Sequence, residues 1–574
     1  MHQIIRQVTI YFFIIVSVSC QYKENRSGVN VTLRADHFPK SLNYYLISSG
    51  LGYEIQRKTI NELLKRQGLD LKPLVARSLP EIIDVDSAWV IKYEIRQEAK
   101  WNDQSPILAE DIAFSLKSLK IPIEGSFEIS SYYEPLISVI EDETNTKVLS
   151  IVAKGNRESL LRLSTDFAIL QKSVFDPDGL LDNVTFFDIN NSPDIVRQDT
   201  SVIAFFERVK SDPYLFRNQY FDGSGPYSIS EIDAGKSITL TKNESWWGHS
   251  LSDQLGHIYA YPDVLHYTVI PEAMSALYSL KNGDLDVMDN IIGAEFQNLG
   301  KDEAFSEKYN LHTPTAFRFT YVGFNSTQKI LKNKKIRRAI AHLIDKPLLA
   351  QSIEHGFAEP CIGPVSPVKD YFYNHNLESY SYNPAMAKQL LKEAGFDLVD
   401  GKQIDTRDGT PLRFHIIHNQ VPQFESIAQV LISEGKKIGI QFTSTSFDKR
   451  AIWGKLESGD FDLAIGSFGG SPFSYDYSVL FETAASGPGG MNLTSFGNAQ
   501  SDSIIQVVKY ASDSTVRKDG LLKLQEMLHE EATMIFLYFS KNKIAISKRF
   551  TNTKVSSIPP GYDVMAFQHA STDK

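Results

Sequence analysis

The stretch from Tyr321 to Lys346, YVGFNSTQKILKNKKIRRAIAHLIDK, divides into three physical pieces. Tyr321-Val322-Gly323-Phe324-Asn325 is an apolar, aromatic run closed by a polar residue, the pattern of a buried strand end. Ser326 to Lys332 is a polar loop. Asn333 then caps a predicted helix in which Ile336, Ala339, Ile340, Leu343 and Ile344 recur with helical spacing, so they share one apolar face. Lys334, Lys335, Arg337, Arg338 and His342 fill the remaining surface. Asp345 is placed to cap a second helix, with Pro347 in its first turn and Gly356 past its end. A strand, loop, helix, helix unit predicts an α/β domain. Arg337 or Arg338 paired with Asp345 is expected to be scaffold rather than chemistry.

The rest of the chain sets bounds on that domain. Its 574 residues exceed one core, so about two or three domains are expected. Apolar residues make up 42% and charged residues 22%, which is ordinary for a soluble globular protein. The net charge is -10 with no basic block, which argues against a nucleic-acid partner. The amino terminus differs from the rest. Arg6 precedes an apolar run from Val8 to Val18, of signal-peptide length and too short to span a bilayer. The run ends Ser17-Val18-Ser19-Cys20, and small residues before a cysteine resemble a lipobox. That resemblance implies a signal peptide over 1–19, cleavage before Cys20, a lipid on its thiol, and a polar tether over 20–28. The other cysteine, Cys361, would then have no disulfide partner.

Further motifs follow in order. Val29 to Ala35 alternates as a strand, and a helix is expected around Ile55 to Gln67. Lys100-Trp101-Asn102-Asp103-Gln104-Ser105-Pro106 leads into a helix beginning near Glu110 and Asp111, whose charges suit a helix amino end. Gly223-Ser224-Gly225-Pro226-Tyr227 is a tight reversal before a strand. Tyr382 to Phe396 reads as a helix capped by Asn383 and ended by Gly395, and Ala428 to Ile438 as an amphipathic helix before Gly439-Ile440. Gly459-Asp460-Phe461-Asp462 opens a strand. Residues 117–220 are the least informative.

These motifs, with the opening Phe324-Asn325 and Arg337-Arg338-Ala339-Ile340 through Ile344-Asp345-Lys346, resemble the family 5 extracellular solute-binding proteins, the receptors of peptide, nickel and related ABC importers. The resemblance runs from about residue 71 to 540. It implies an α/β, two-lobed periplasmic-binding-protein type II fold of the large kind, with a subdomain inserted in the first lobe. The expected boundaries are 29–57, 206–313 and 538–574 for the first lobe, 58–205 for the insert and 314–537 for the second lobe. Hinge strands are expected near Thr313 to Phe319 and Phe536 to Ser540. The implied function is extracytoplasmic capture of a small solute, peptide-like first, between the lobes and delivery to ABC permease subunits, with a lipid anchor holding the protein to a membrane. A lipoprotein sensor or partner-binding module of the same fold is the alternative.

No HExxH, CxxC or GxSxG motif occurs, so catalytic residues, a metal and a cofactor are not expected. Gly235-Lys236-Ser237 ends like a P-loop but precedes a strand, not the helix such a loop needs. His415 and His418 point to opposite faces of a strand and make a poor metal pair. Binding remains. A ligand is expected between the lobes at strand carboxyl ends. Candidate contacts are Phe38, Asn43 and Tyr44 in one loop, and Ser467, Phe468, Gly469, Tyr475 and Asp476 in a Gly- and aromatic-rich second loop. Trp453 on the preceding helix and Arg318 are further candidates. In peptide-binding members the second loop carries an Asp that pairs with the peptide's α-amino group. Gly470 or Ser471 stands nearest that position here, with Asp476 a few residues later.

Overall fold

The structure is a computed structural model that describes residues 28–46, 50–85, 88–122, 130, 132–155, 157–211, 223–487, 490–511 and 513–570. Cys20 and the segment expected to be a signal peptide and tether lie outside the described residues.

A seven-stranded sheet forms the first lobe. Its order is Tyr309–His312, Ile544–Ser547, Val287–Met288, Asn30–Ala35, Val264–Val269, Ser237–Lys242 and Tyr227–Asp233. Alternation sets the buried face of the strand Asn30–Ala35: Val31, Leu33 and Ala35 are buried while their neighbours are partly exposed. Asn30–Ala35 runs parallel to Val264–Val269 and Val287–Met288, so the carboxyl ends of these strands gather at one edge. Asp286 locks this lobe. Its carboxylate accepts the Thr32 amide at 2.8 Å and pairs with Arg549 from the end of the chain.

The insert has its own antiparallel sheet, ordered Glu81–Val85, Ala88–Glu94, Val148–Ala153, Leu136–Glu141. Its apolar side chains Ile91, Tyr93 and Ile151 belong to the same continuous core as Val31 and Leu33, so insert and first sheet share one buried interior. The helix Thr200–Lys210 runs straight through the boundary expected at 205/206 and carries Phe205 and Phe206 into that core. The helix expected at Ile55 to Gln67 is instead a helix, Gly50–Thr59, followed by a hairpin of Leu64–Gln67 with Asp70–Pro73. Gly68 at φ 61° supplies the left-handed residue of its two-residue turn.

The second lobe holds a six-stranded sheet, ordered Ala358–Pro360, Met534–Lys541, Thr315–Phe324, Leu463–Gly469, Arg413–Asn419 and Gln441–Phe447. The stretch quoted first lies at its centre. Asn325 closes the strand by donating its side-chain amide to the carbonyls of Gly459 at 3.0 Å and Phe461 at 3.1 Å. Asn333 caps the helix Lys334–Ala341, whose Ile336, Ala339 and Ile340 are buried together with Leu343 and Ile344. Each large apolar side chain so buried contributes about 1.5–3 kcal/mol before entropy is counted. The arginines pair differently from expectation. Arg337, 2% exposed, donates to the carbonyls of Leu331, Lys332 and Glu531, and Arg338 pairs with Glu530. Asp345 does not meet either; its carboxylate accepts the Leu348 amide and caps the helix Lys346–Ser352.

The described chain passes from one sheet to the other between His312 and Thr315, and returns between Lys541 and Ile544. The boundary expected at 537/538 is displaced, because Met534–Lys541 pairs throughout with the second sheet.

Candidate functional site

The strand Leu463–Gly469 ends at a loop that is held rather than loose. The Gly470 amide donates to the Phe317 carbonyl at 2.6 Å. Ser471 accepts the Phe473 amide, Ser474 accepts the Asp476 amide, and Asp476 accepts the Ser478 amide at the start of a short helix. Lys369, buried to 6% exposure, braces the loop from behind. Its ammonium donates to the Ser474 carbonyl at 3.0 Å and lies 3.8 Å from the centre of the Tyr475 ring. Phe372 packs on the same ring at 4.7 Å between centroids.

The insert faces this loop. The Arg66 guanidinium sits 4.4 Å above the Phe473 ring, and Arg162 donates to the Ser471 hydroxyl at 3.3 Å. Asp166 stands between the two arginines, paired with Arg66 and 3.9 Å from Arg162. It also accepts the Tyr132 hydroxyl at 3.0 Å. Its backbone carbonyl accepts the hydroxyls of Tyr133 and Tyr44. Burial raises the Tyr44 phenol and keeps it protonated. Burial also raises Glu62, against the opposing pull of Arg57 and Arg66. Between insert and loop lies a cavity of about 610 Å³, whose walls include Tyr132, Lys154, Arg162, Phe473, Tyr475 and Arg517. That volume falls in the range of small-molecule sites, about 300–1,000 Å³.

The expected contacts divide. Tyr475 and Asp476 line the cavity. Ser467, Phe468 and Gly469 lie in the strand leading to it, in register with Thr320, Phe319 and Arg318, and Phe468 packs on Phe319 at 5.8 Å. Tyr44 is a second layer behind Asp166. Asn43 is fully buried, its side chain donating to the Val209 carbonyl and accepting the Tyr45 amide, so it is scaffold. Phe38 packs partly against the first core. Trp453, 39% exposed on the helix Lys449–Ser458, is not among the cavity walls, because its neighbour Ile452 takes the buried face of that helix. Arg66, Arg162, Lys369 and Arg517 were not legible as site residues. They come from separate elements, and only Ser471's place in the loop hinted at what faces it.

The model of the bacterial extracellular solute-binding proteins, family 5, matches residues 70–489. The chain belongs to this family. As a family 5 protein it is 24% identical over 500 residues to the oligopeptide-binding protein AppA of Bacillus subtilis, covering 85% of this chain and 81% of that one. It is 21% identical over 524 residues to the dipeptide-binding protein of Escherichia coli, covering 88% of each. The structure of NikA from Brucella suis in complex with Fe(III)-EDTA superposes with a TM-score of 0.74 at 17% identity, over 94% of this chain and 100% of that one. The family 5 fold thus accounts for both lobes, and the cavity lies where the insert and the second lobe meet.

Proposed function

We propose that this family 5 protein captures a small solute, peptide-like first, in the cavity between insert and second lobe, closes on it, and hands it to ABC permease subunits. It acts by binding, not by turnover. The observation that carries the reading is a cavity walled by two bodies that two chain crossings join among the described residues. Such a connection supports rigid-body closure about a hinge. The names of the similar proteins, which bind oligopeptides and dipeptides, support the solute class. The apolar run before Cys20 supports export and a lipid anchor, and no helix among the described residues is long and apolar enough to cross a membrane.

Mass spectrometry of what co-purifies with the protein tests the capture reading. A bound small solute, with compaction in small-angle scattering on its return to stripped protein, is the expected result. Absence of any solute, with no compaction across a peptide and nickel-chelate panel, refutes it. For the anchor, Cys20→Ala is expected to release the protein from membranes, and unchanged membrane association refutes it.

A further inference from the structure

The chain as a whole is acidic, with a net charge of -10, yet the cavity wall is not. Lys154, Arg162, Lys509 and Arg517 line it, against Glu134 and Asp476. Directly behind the rings of its wall stand Arg66 and Lys369, against Asp166. Two of these three carboxylates are already engaged, Asp476 with Lys509 at 3.2 Å and Asp166 with both Arg66 and Arg162, which leaves Glu134 against the remaining cations of the wall. One carboxylate between two guanidiniums leaves a positive remainder. Arg162 has only a serine hydroxyl and that shared acid, and its Nε is buried with no hydrogen-bond acceptor among the described residues. Positive charge concentrated in a partly enclosed cleft of an acidic protein focuses a local field that attracts anions and repels cations.

Resting on the solute-capture reading, we infer that the solute carries an oxyanion, a carboxylate or a phosphate, seated against Arg162 and Lys154 with Arg517 at its flank. The aromatic faces of Tyr132 and Tyr475 supply the apolar wall beside it. Guanidinium suits this role because it donates along a fixed fork to two oxygens at once. A free ammonium at this position meets the like charge of Arg162 and Lys154.

The test uses the full chain and one N-acetylated tripeptide in three forms: the free acid, the uncharged C-terminal amide, and an amide bearing a phosphoserine. Calorimetric titration is expected to show one anionic form binding about tenfold or more tighter than the uncharged amide. Acid alone identifies a carboxylate, and the phosphoserine form alone a phosphate. Arg162→Met is expected to abolish the preference, Arg162→Lys to restore part of it, and Lys236→Met, in the turn between the strands Tyr227–Asp233 and Ser237–Lys242, to leave it intact. Lys154→Met, an exposed position outside the arginine network, keeps the test valid if Arg162→Met fails to fold, and is expected to reduce the preference several-fold. Equal affinity for all three forms, an unchanged preference in both Met variants, or a co-purified solute that is neutral or cationic overturns the inference while solute capture stands. No binding of any form, with no co-purified solute, overturns both.

Discussion

The guanidinium of Arg66 lies 4.4 Å above the ring of Phe473, so a strand of the insert touches a loop of the second lobe behind the cavity wall. A cation over an aromatic face is worth about 0.5–2 kcal/mol depending on how far it is desolvated. Phe473→Ala therefore is expected to bias the protein toward an open form. Small-angle scattering of solute-free protein should show a larger radius of gyration for the variant. An unchanged radius would show that this contact does not hold the lobes.

The second expectation concerns the scaffold. Arg337 is nearly fully buried and serves three backbone carbonyls and the Glu531 carboxylate. Replacing it with Met strands those acceptors away from water. A loss of about 3–5 kcal/mol in denaturant unfolding is expected, the cost of breaking a buried charged network from one side. A loss under about 1 kcal/mol would mean that the carbonyls find water.

A third follows from Asp289, just past the strand Val287–Met288. Burial first, then the charges of Glu54 and Asp36, push its carboxyl up to about 7 despite the opposing Arg34. An unfolded aspartate titrates near ~3.9. Between those values the folded state holds a proton that the unfolded state has released. Stability contributed here is therefore present below about pH 4 and lost as pH rises toward 7. Asp289→Asn removes this dependence. The melting-temperature difference, variant minus parent, is expected to grow from pH 4 to 7 and then level off. A flat difference across that window refutes the assignment.

Gly225 gives a fourth. A Cβ built there would lie 2.4 Å from the Lys58 carbonyl oxygen and 2.5 Å from the Thr59 carbonyl carbon, both backbone atoms. The Gly225 amide also donates to the Thr59 carbonyl at 2.9 Å, so the approach is built in. Gly225→Ala is expected to cost about 1–3 kcal/mol in chemical denaturation. Gly50→Ala, where nothing lies within 4 Å, is the matched control.

The parts of this protein that were legible in sequence are those fixed by local rules. Helical spacing placed Ile336 to Ile344 on one face, and the cap residues Asn333, Asp345 and Asn383 all accept backbone amides as their side chains allow. Gln104 adopts φ 72°, the left-handed region that favours glycine, in the turn before the helix Ala109–Lys120. Partners far apart in sequence were not legible. Arg337 meets Glu531, separated by 194 residues, and not the nearby Asp345. The same holds for the cavity: Arg162 and Ser471 are 309 residues apart, and no periodicity encodes their meeting. The hairpin after Thr59 was hidden because Leu64-Lys65-Arg66-Gln67 are good helix formers, and sheet pairing with Asp70–Pro73 outweighed that propensity.

The sheet orders also bear on how the protein comes into being. Ile544–Ser547 fills the gap between Tyr309–His312 and Val287–Met288, and Met534–Lys541 sits beside Thr315–Phe324 at the heart of the other sheet. Both sheets therefore wait for the same late stretch of chain. A ribosome-emerging polypeptide that lacks it has a gap in each sheet, and a protein of this topology stays unfinished until nearly all of it has been made. Late completion of both sheets is compatible with the export proposed above, since a chain whose sheets are incomplete has not yet closed its core.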